Sequence, residues 1–87
     1  MTIYLVDEPF AEIGLAYSTI DPEARTVLLQ DGVYVARNRE IRGDVFVLRD
    51  DLARRGLGDQ ALPPNVQVIG YEDLVDMMGK ERVACFL

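Results

Sequence analysis

Histidine is absent from this 87-residue chain, and cysteine occurs once, at Cys85. A zinc site built from His and Cys therefore has no ligand set, and neither a Ser/His/Asp nor a Cys/His catalytic arrangement is possible within one chain. A lone cysteine also rules out an intramolecular disulfide. No apolar run approaches the roughly 18 to 20 residues that a bilayer-crossing helix needs. Basic residues are scarce, with 9 Lys plus Arg against 15 Asp plus Glu and a net charge of −6. Nucleic-acid binding draws much of its affinity from Lys and Arg displacing counterions, so direct duplex or tRNA binding by this chain alone is disfavoured. The start, MTIYLVDEPF, has neither a basic n-region nor a long apolar h-region. With the single thiol, this leads to the expectation of a reducing cytoplasm.

What is present is the composition of a globular domain: 49% of residues are hydrophobic and 28% charged, too apolar for a low-hydrophobicity disordered chain. Residues 1–87 are expected to form one domain, because independent cores need about 100 to 200 residues each. A chain of this size buries only roughly 60 to 65% of its unfolded surface, which makes association a natural supplement.

Short β-rich runs alternate with helical or turn-like stretches, without internal repeats. Thr2–Val6 is apolar at nearly every position, as a strand buried on both faces would be. Asp7-Glu8-Pro9 then suits the start of a helix from about Pro9 to Ser18, with Phe10, Ile13, Tyr17 and Ile20 expected on its inward face. Thr26–Gln30, Asp44–Leu48 and Val66–Ile69 read as further strands. Asp50 is expected to cap a helix through Arg55 that Gly56 ends in a left-handed conformation. Tyr71, Leu74, Val75 and Met78 fall at i, i+3, i+4 and i+7 of a helix stopped by Gly79. The apolar tail Val83–Leu87 is expected to pair with the sheet or a partner. Alternating strands and helices argue for a mostly parallel sheet covered on both faces. One segment divides the evidence. Asp31-Gly32 between two apolar runs is a strong local signal for a type I′ hairpin, yet residues 31 to 43 also supply the dozen or so positions of a parallel crossover. Local rules leave both open.

Several residues invite a chemical reading. Cys85 is either a small packed hydrophobe, as free cysteines usually are, or a thiolate that receives persulfide sulfur. Gln30, Asp31, Gly32 and Val33 lie where a strand would end at the carboxyl edge of an α/β sheet, the side where ligands bind. Gly32 supplies positive φ if the chain needs it, and the N–H groups of residues 33 to 35 are then candidates to face a small anion; the alternative is that Asp31 caps and Gly32 turns. Asp7, Glu8 and Asp31, with Asp50, are expected to share that edge. Converging carboxylates suit Mg²⁺ or Ca²⁺, but helix capping alone produces the same pattern, and no metal is assigned. Arg37, Arg39 and Arg42 form the basic cluster, either a surface for an acidic partner or RNA phosphate, or a solvated loop face. Tyr34, Phe46, Tyr71, Met77, Met78 and Phe86 exceed what so small a core needs. Tyr34, Met78 and Phe86 are taken as interface residues.

The stretch Val27-Leu28-Leu29-Gln30-Asp31-Gly32-Val33-Tyr34 resembles the L-L-Q-[DN]-G-V run of the DsrH/TusB family of sulfur-relay proteins. Val47–Leu57 is similar to that family's V-Y-x-L-x-x-D-x-x-A-R-G-L segment, and Ile69–Val75 to its I-x-Y-x-[DE]-[FL]-V segment. The three segments keep order and spacing over most of the chain. The resemblance implies a small flavodoxin-like, DsrE/F-like three-layer α/β fold with a mostly parallel four- to five-stranded sheet, and a short helix after Gly32 in place of the hairpin. It implies a cytoplasmic sulfur relay, serving either 2-thiouridine formation at the tRNA wobble position or sulfur oxidation. The implied state is a homo-oligomer or a hetero-oligomer with DsrE-like and DsrF-like subunits, with no cofactor. Some members carry a cysteine in the first helix, where Phe10 to Ile20 has none. The resemblance thus implies a structural, partner-binding subunit, with a homo-oligomeric module that carries sulfur on Cys85 or binds an anion at Asp31-Gly32 as the alternative.

Overall fold

The computed structural model describes residues 2–38, 41–57 and 62–87. Five strands, β1 (Thr2–Val6), β2 (Ala24–Leu28), β3 (Asp44–Leu48), β4 (Val66–Ile69) and β5 (Arg82–Phe86), form one sheet in the order β4-β3-β2-β1-β5. Every neighbouring pair is parallel. Helices α1 (Ala11–Ile20), α2 (Val33–Asn38) and α3 (Arg49–Arg54) follow the first three strands, and α4 (Tyr71–Met78) follows the fourth. The first three connections step across the sheet in one direction, so right-handed crossovers set α1, α2 and α3 on one face. The return from β4 to β5 runs the other way and sets α4 on the opposite face. The result is the three-layer α/β arrangement that the sequence leads one to expect.

Two apolar layers follow from this topology. On the three-helix face, Val6, Leu28, Val45 and Val47 pack against Leu15, Val33, Ala36 and Leu52. On the other face, Ile3, Leu5, Val27, Leu48 and Ile69 meet Leu74, with Met77 half-buried beside them. Alternate residues of the same strands thus serve opposite layers, which explains why the strands read as nearly continuous apolar runs.

The hairpin signal at Asp31-Gly32 is overruled by packing. Gln30 carries the positive φ, at 53°, and Gly32 does not. Residues Gln30–Gly32 form a short 3-10 turn that leads directly into α2. Leu29 still donates its N–H to the Val6 carbonyl at 3.2 Å, and Gly32 donates to Leu29 at 2.9 Å. The expectation that Gly32 serves positive φ is corrected accordingly: glycine is needed because a Cβ there would stand 2.5 Å from the Val6 carbonyl oxygen. The second strand also begins earlier than expected, at Ala24, because Thr2 pairs with Ala24 and Val6 with Leu28.

Both amphipathic helices turn a different face inward from the one that periodicity suggested. α1 buries Ala11, Gly14, Leu15 and Ser18, whereas Phe10, Ile13, Tyr17 and Ile20 are exposed, Ile20 by 78%. The reason is distance. A Cβ on Gly14 would lie 2.9 Å from Val6 Cγ2 and 3.3 Å from Phe86 Cβ, so the helix rests on the sheet through small residues and displaces its large ones outward. α4 crosses its face on Leu74 and Met77, leaving Tyr71, Val75 and Met78 exposed. α3 starts at Arg49 with Leu48 as its N-cap, which places Asp50 in the first turn, not at the cap; Gly56 takes the expected left-handed φ of 66°.

Replacing Gly32 by Ala forces a backbone contact apart and is expected to destabilise the fold by about 3 kcal/mol, lowering Tm by at least roughly 12 °C. Gly79→Ala is the matched control, because Gly79 has helical φ of −71° and a Cβ there would meet the Val75 carbonyl oxygen at 3.5 Å, an ordinary van der Waals contact. It should leave Tm unchanged or raise it slightly in the same thermal melts.

Candidate functional site

The carboxyl edge of the sheet is where the candidate residues converge. Asp7 ends β1, and its Oδ1 accepts the Glu8 N–H at 2.6 Å, opening a 3-10 turn over Glu8–Phe10 that continues into α1. On one side of β1, the Phe86 carbonyl accepts the Asp7 N–H at 2.9 Å; on the other, the Gln30–Gly32 corner folds over Val6. The third contributor is α3. Asp51, only 3% exposed, reaches across to accept the Gln30 N–H at 2.7 Å. Arg55, one helical turn later, donates Nε to Asp31 Oδ1 at 2.9 Å and Nη1 to the Asp51 carbonyl at 3.1 Å. Its Nη1 also lies 3.7 Å from Asp51 Oδ1. The hydrogen bond to Asp31 holds the Arg55 guanidinium in its charged form even more firmly than usual.

This network explains how a non-glycine residue keeps a left-handed backbone. A conformation that is sparsely populated for Gln persists only where its surroundings over-determine it. Here a buried carboxylate takes the Gln30 N–H, and a charge-assisted bond fixes the next residue. Asp51 and Arg55 are the participants that sequence reasoning passed over. Sequence reasoning singles out Asp50, as a cap and as one of the edge carboxylates, and gives Asp51 no role; the available signal was the helical i, i+4 spacing of Asp51 and Arg55.

The predicted site residues divide into those that face solvent and those that do not. Gln30 and Asp31 are exposed, whereas Gly32 and Val33 are buried. The Val33 N–H donates to the Asp31 and Gln30 carbonyls, and that of Gly32 donates to Leu29, so neither is directed to an anion. Asp7 and Asp31 spend their carboxylates on the Glu8 N–H and on Arg55. Asp50 is exposed on the first turn of α3. Among the described residues, no three His, Cys, Asp or Glu side chains gather closely enough to hold a metal ion. Arg39 and the side chain of Arg37 lie outside the described residues, and Arg42 is exposed.

Cys85 departs from the packed reading. It lies within β5 opposite Leu5, and its side chain is exposed. Among the described residues, no hydrogen bond or ion pair engages it. Tyr34 and Met78 are each 38% exposed and open to a partner. Phe86 is half-buried, its ring stacked at 6.3 Å from Tyr4 and 5.7 Å from Tyr17.

Comparison with known proteins agrees with this geometry. A family model described as "DsrH like protein" matches residues 9–83. Among solved structures, the YchN protein from E. coli superposes with a TM-score of 0.74 over 98% of this chain and 97% of its own, at 13% identity. That likeness concerns the fold. Protein Tm0979 from Thermotoga maritima superposes with a TM-score of 0.70 at 25% identity, covering 93% of this chain and 94% of its own. No curated protein matches the chain in sequence.

Removing the Asp51 carboxylate leaves the Gln30 N–H without its acceptor and Arg55 without its 3.7 Å ion pair, while the Arg55 bonds to Asp31 and to the Asp51 carbonyl remain. Asp51→Ala is therefore expected to cost about 2 to 3 kcal/mol in urea unfolding, against less than about 1 kcal/mol for the neighbouring, exposed Asp50→Ala.

Proposed function

The chain belongs to the DsrH-like family, and from that premise we propose that it is a structural, partner-binding subunit of a cytoplasmic sulfur-relay complex. In this reading it assembles with DsrE-like and DsrF-like subunits that pass sulfur toward wobble-uridine 2-thiolation or sulfur oxidation. The observation that carries the subunit role is the placement of the sole thiol. Sulfur transfer needs a thiolate, and thiolates are favoured beside cations or at helix N-termini. Cys85 sits within an edge strand, and among the described residues no ion pair engages it. The opposite end of the argument is the surface. Tyr34 and Met78 are apolar groups open to a partner, and Gln30 and Asp31 add a polar patch at the sheet's carboxyl edge. A net charge of −6 disfavours RNA phosphate as the direct contact of this chain and suits a protein partner instead.

A second reading is favoured by the exposure of Cys85. In it, the Cys85 thiolate attacks the outer sulfur of a donor persulfide, forming a Cys85 persulfide and releasing the donor as thiolate.

The two readings separate in a reconstituted transfer assay with DsrE-like and DsrF-like subunits. Omitting this chain should reduce sulfur transfer at least about tenfold, whereas Cys85→Ser should change it less than about twofold. Intact mass after exposure to a persulfide donor should show no gain of about 32 Da on this chain. Loss of transfer in Cys85→Ser together with that mass gain establishes the carrier reading.

A further inference from the structure

We infer that the cavity between the end of α1 and the starts of β2 and β3 binds a small zwitterionic amino acid. Among the described residues, the buried polar side chains are Ser18, Thr26 and Asp51. Asp51 has its partner in the Gln30 N–H. The other two line one cavity of about 260 Å³, at the opposite end of the strands from the Gln30–Gly32 corner. A buried polar group is costly unless it is hydrogen-bonded, so both hydroxyls need an account. Thr26 is 3% exposed, and among the described residues its hydroxyl makes no hydrogen bond. It shares its side of β2 with Leu28, on the three-helix face, whereas Val27 meets α4. Thr26 is thereby directed into the space beneath α1 that the cavity occupies. Ser18 approaches from α1. Its Oγ donates to the Leu15 carbonyl at 3.4 Å, long for an O–H···O bond, and Thr19 already serves that carbonyl at 2.7 Å. Packing alone would be served as well by Val and Ala, which need no partner.

Two opposite charges line the same space. Arg42 is one, and among the described residues no hydrogen bond or ion pair engages it. The segment that carries it is fixed: Asn65 donates Nδ2 to the Ile41 carbonyl at 2.7 Å and to the Gly43 carbonyl at 2.9 Å, and Gly43 turns into β3 with a φ of 90°. Asp21, which follows α1, is the other. Its oxygens accept the Tyr4 hydroxyl and the Glu23 N–H, each at 3.0 Å, which orient the carboxylate and leave each oxygen a further lone pair. No ion pair joins Arg42 to Asp21, so both charges stay open to a ligand. Asp44 reaches the rim from the start of β3, where alternation assigns its side chain to the opposite face with Phe46.

One cation, one carboxylate and two buried hydroxyls select the ligand by charge. A simple anion would meet Asp21 and a simple cation Arg42, whereas a molecule with one carboxylate and one ammonium satisfies both. The volume lies just below the roughly 300 to 1,000 Å³ of pockets that hold drug-sized ligands, which suits a free amino acid with a small side chain. Pro22 and Ala24 supply an apolar wall for that side chain. The site uses neither Cys85 nor the corner, and it goes beyond the relay reading.

L-Alanine titrated into the isotopically labelled chain at neutral pH should shift the amide signals of Ser18, Thr26 and Gly43 and saturate with a Kd of about 1 mM or below. Propionate, which lacks the ammonium, and ethylamine, which lacks the carboxylate, should bind at least about tenfold more weakly. Arg42→Gln and Thr26→Val should each weaken alanine binding at least about tenfold, whereas Gln67→Ala, on β4, should leave it intact. Arg42 is exposed, so its variant tests the site even where Thr26→Val disturbs folding. Unshifted signals up to about 20 mM alanine mean a cavity that holds water only, and overturn the proposal. So does propionate binding as tightly as alanine, or alanine binding that survives either substitution in a folded chain. The titration reads binding alone, so its failure leaves the relay role standing, and failure of transfer leaves this site standing.

Discussion

The main-chain oxygen of Val6 accepts the Leu29 N–H and lies against the bare Cα of Gly32, and this packed corner governs how the chain leaves β2. A side chain at Gly32 would lift the corner off β1. Without the left-handed turn at Gln30, the chain would continue straight past the sheet edge. Together they direct residues 33–38 back as a helix, and the crossover then delivers β3 parallel to β2. The corner thereby sets α2 on the same face as α1 and places β3 beside β2, whereas the return from β4 through α4 sets the opposite layer and the β5 edge. Asp51 and Arg55 secure it from the far side, so the corner ties β1, β2 and α3 into one unit.

Much of the element order was legible because strand and helix periods differ and because Pro9, Gly56 and Pro63-Pro64 punctuate the chain. The corner itself was not legible from local rules. Asp-Gly favours a type I′ turn in isolation, and only the closeness of a neighbouring strand, a long-range fact, decides against it. Resemblance to the DsrH/TusB pattern carried information that local propensity lacked. The inward faces of α1 and α4 were misassigned for a related reason. Periodicity identifies a stripe of apolar residues without saying whether the stripe or its small neighbours meet the sheet. On α1, Gly14 and Ala11 permit a closer approach than Phe10 and Tyr17 would, so tight packing selected the small face. At the site, Asp31 and Gly32 were visible as a corner, whereas the role of Asp51 depends on a hydrogen bond across 21 positions of sequence.

The displaced apolar residues remain on the surface. Small domains bury a limited fraction of their surface, and this one leaves large side chains along α1, on α4 and at Tyr34. Among the described residues, the sole thiol is exposed on a strand, and Asp7, Asp31 and Asp51 are engaged in a turn and in the corner. Membership of the DsrH-like family supports a subunit of a sulfur relay in general, and the scaffold role within it is the reading proposed above.

The corner can be observed directly by nuclear Overhauser contacts in the isotopically labelled chain. Strong contacts between the Gly32 and Asp7 α-protons, with helical sequential contacts over residues 33–38, are the predicted result. Cross-strand α-proton contacts between Leu29 and Tyr34, as in a hairpin closed by Asp31-Gly32, would contradict the account at its root.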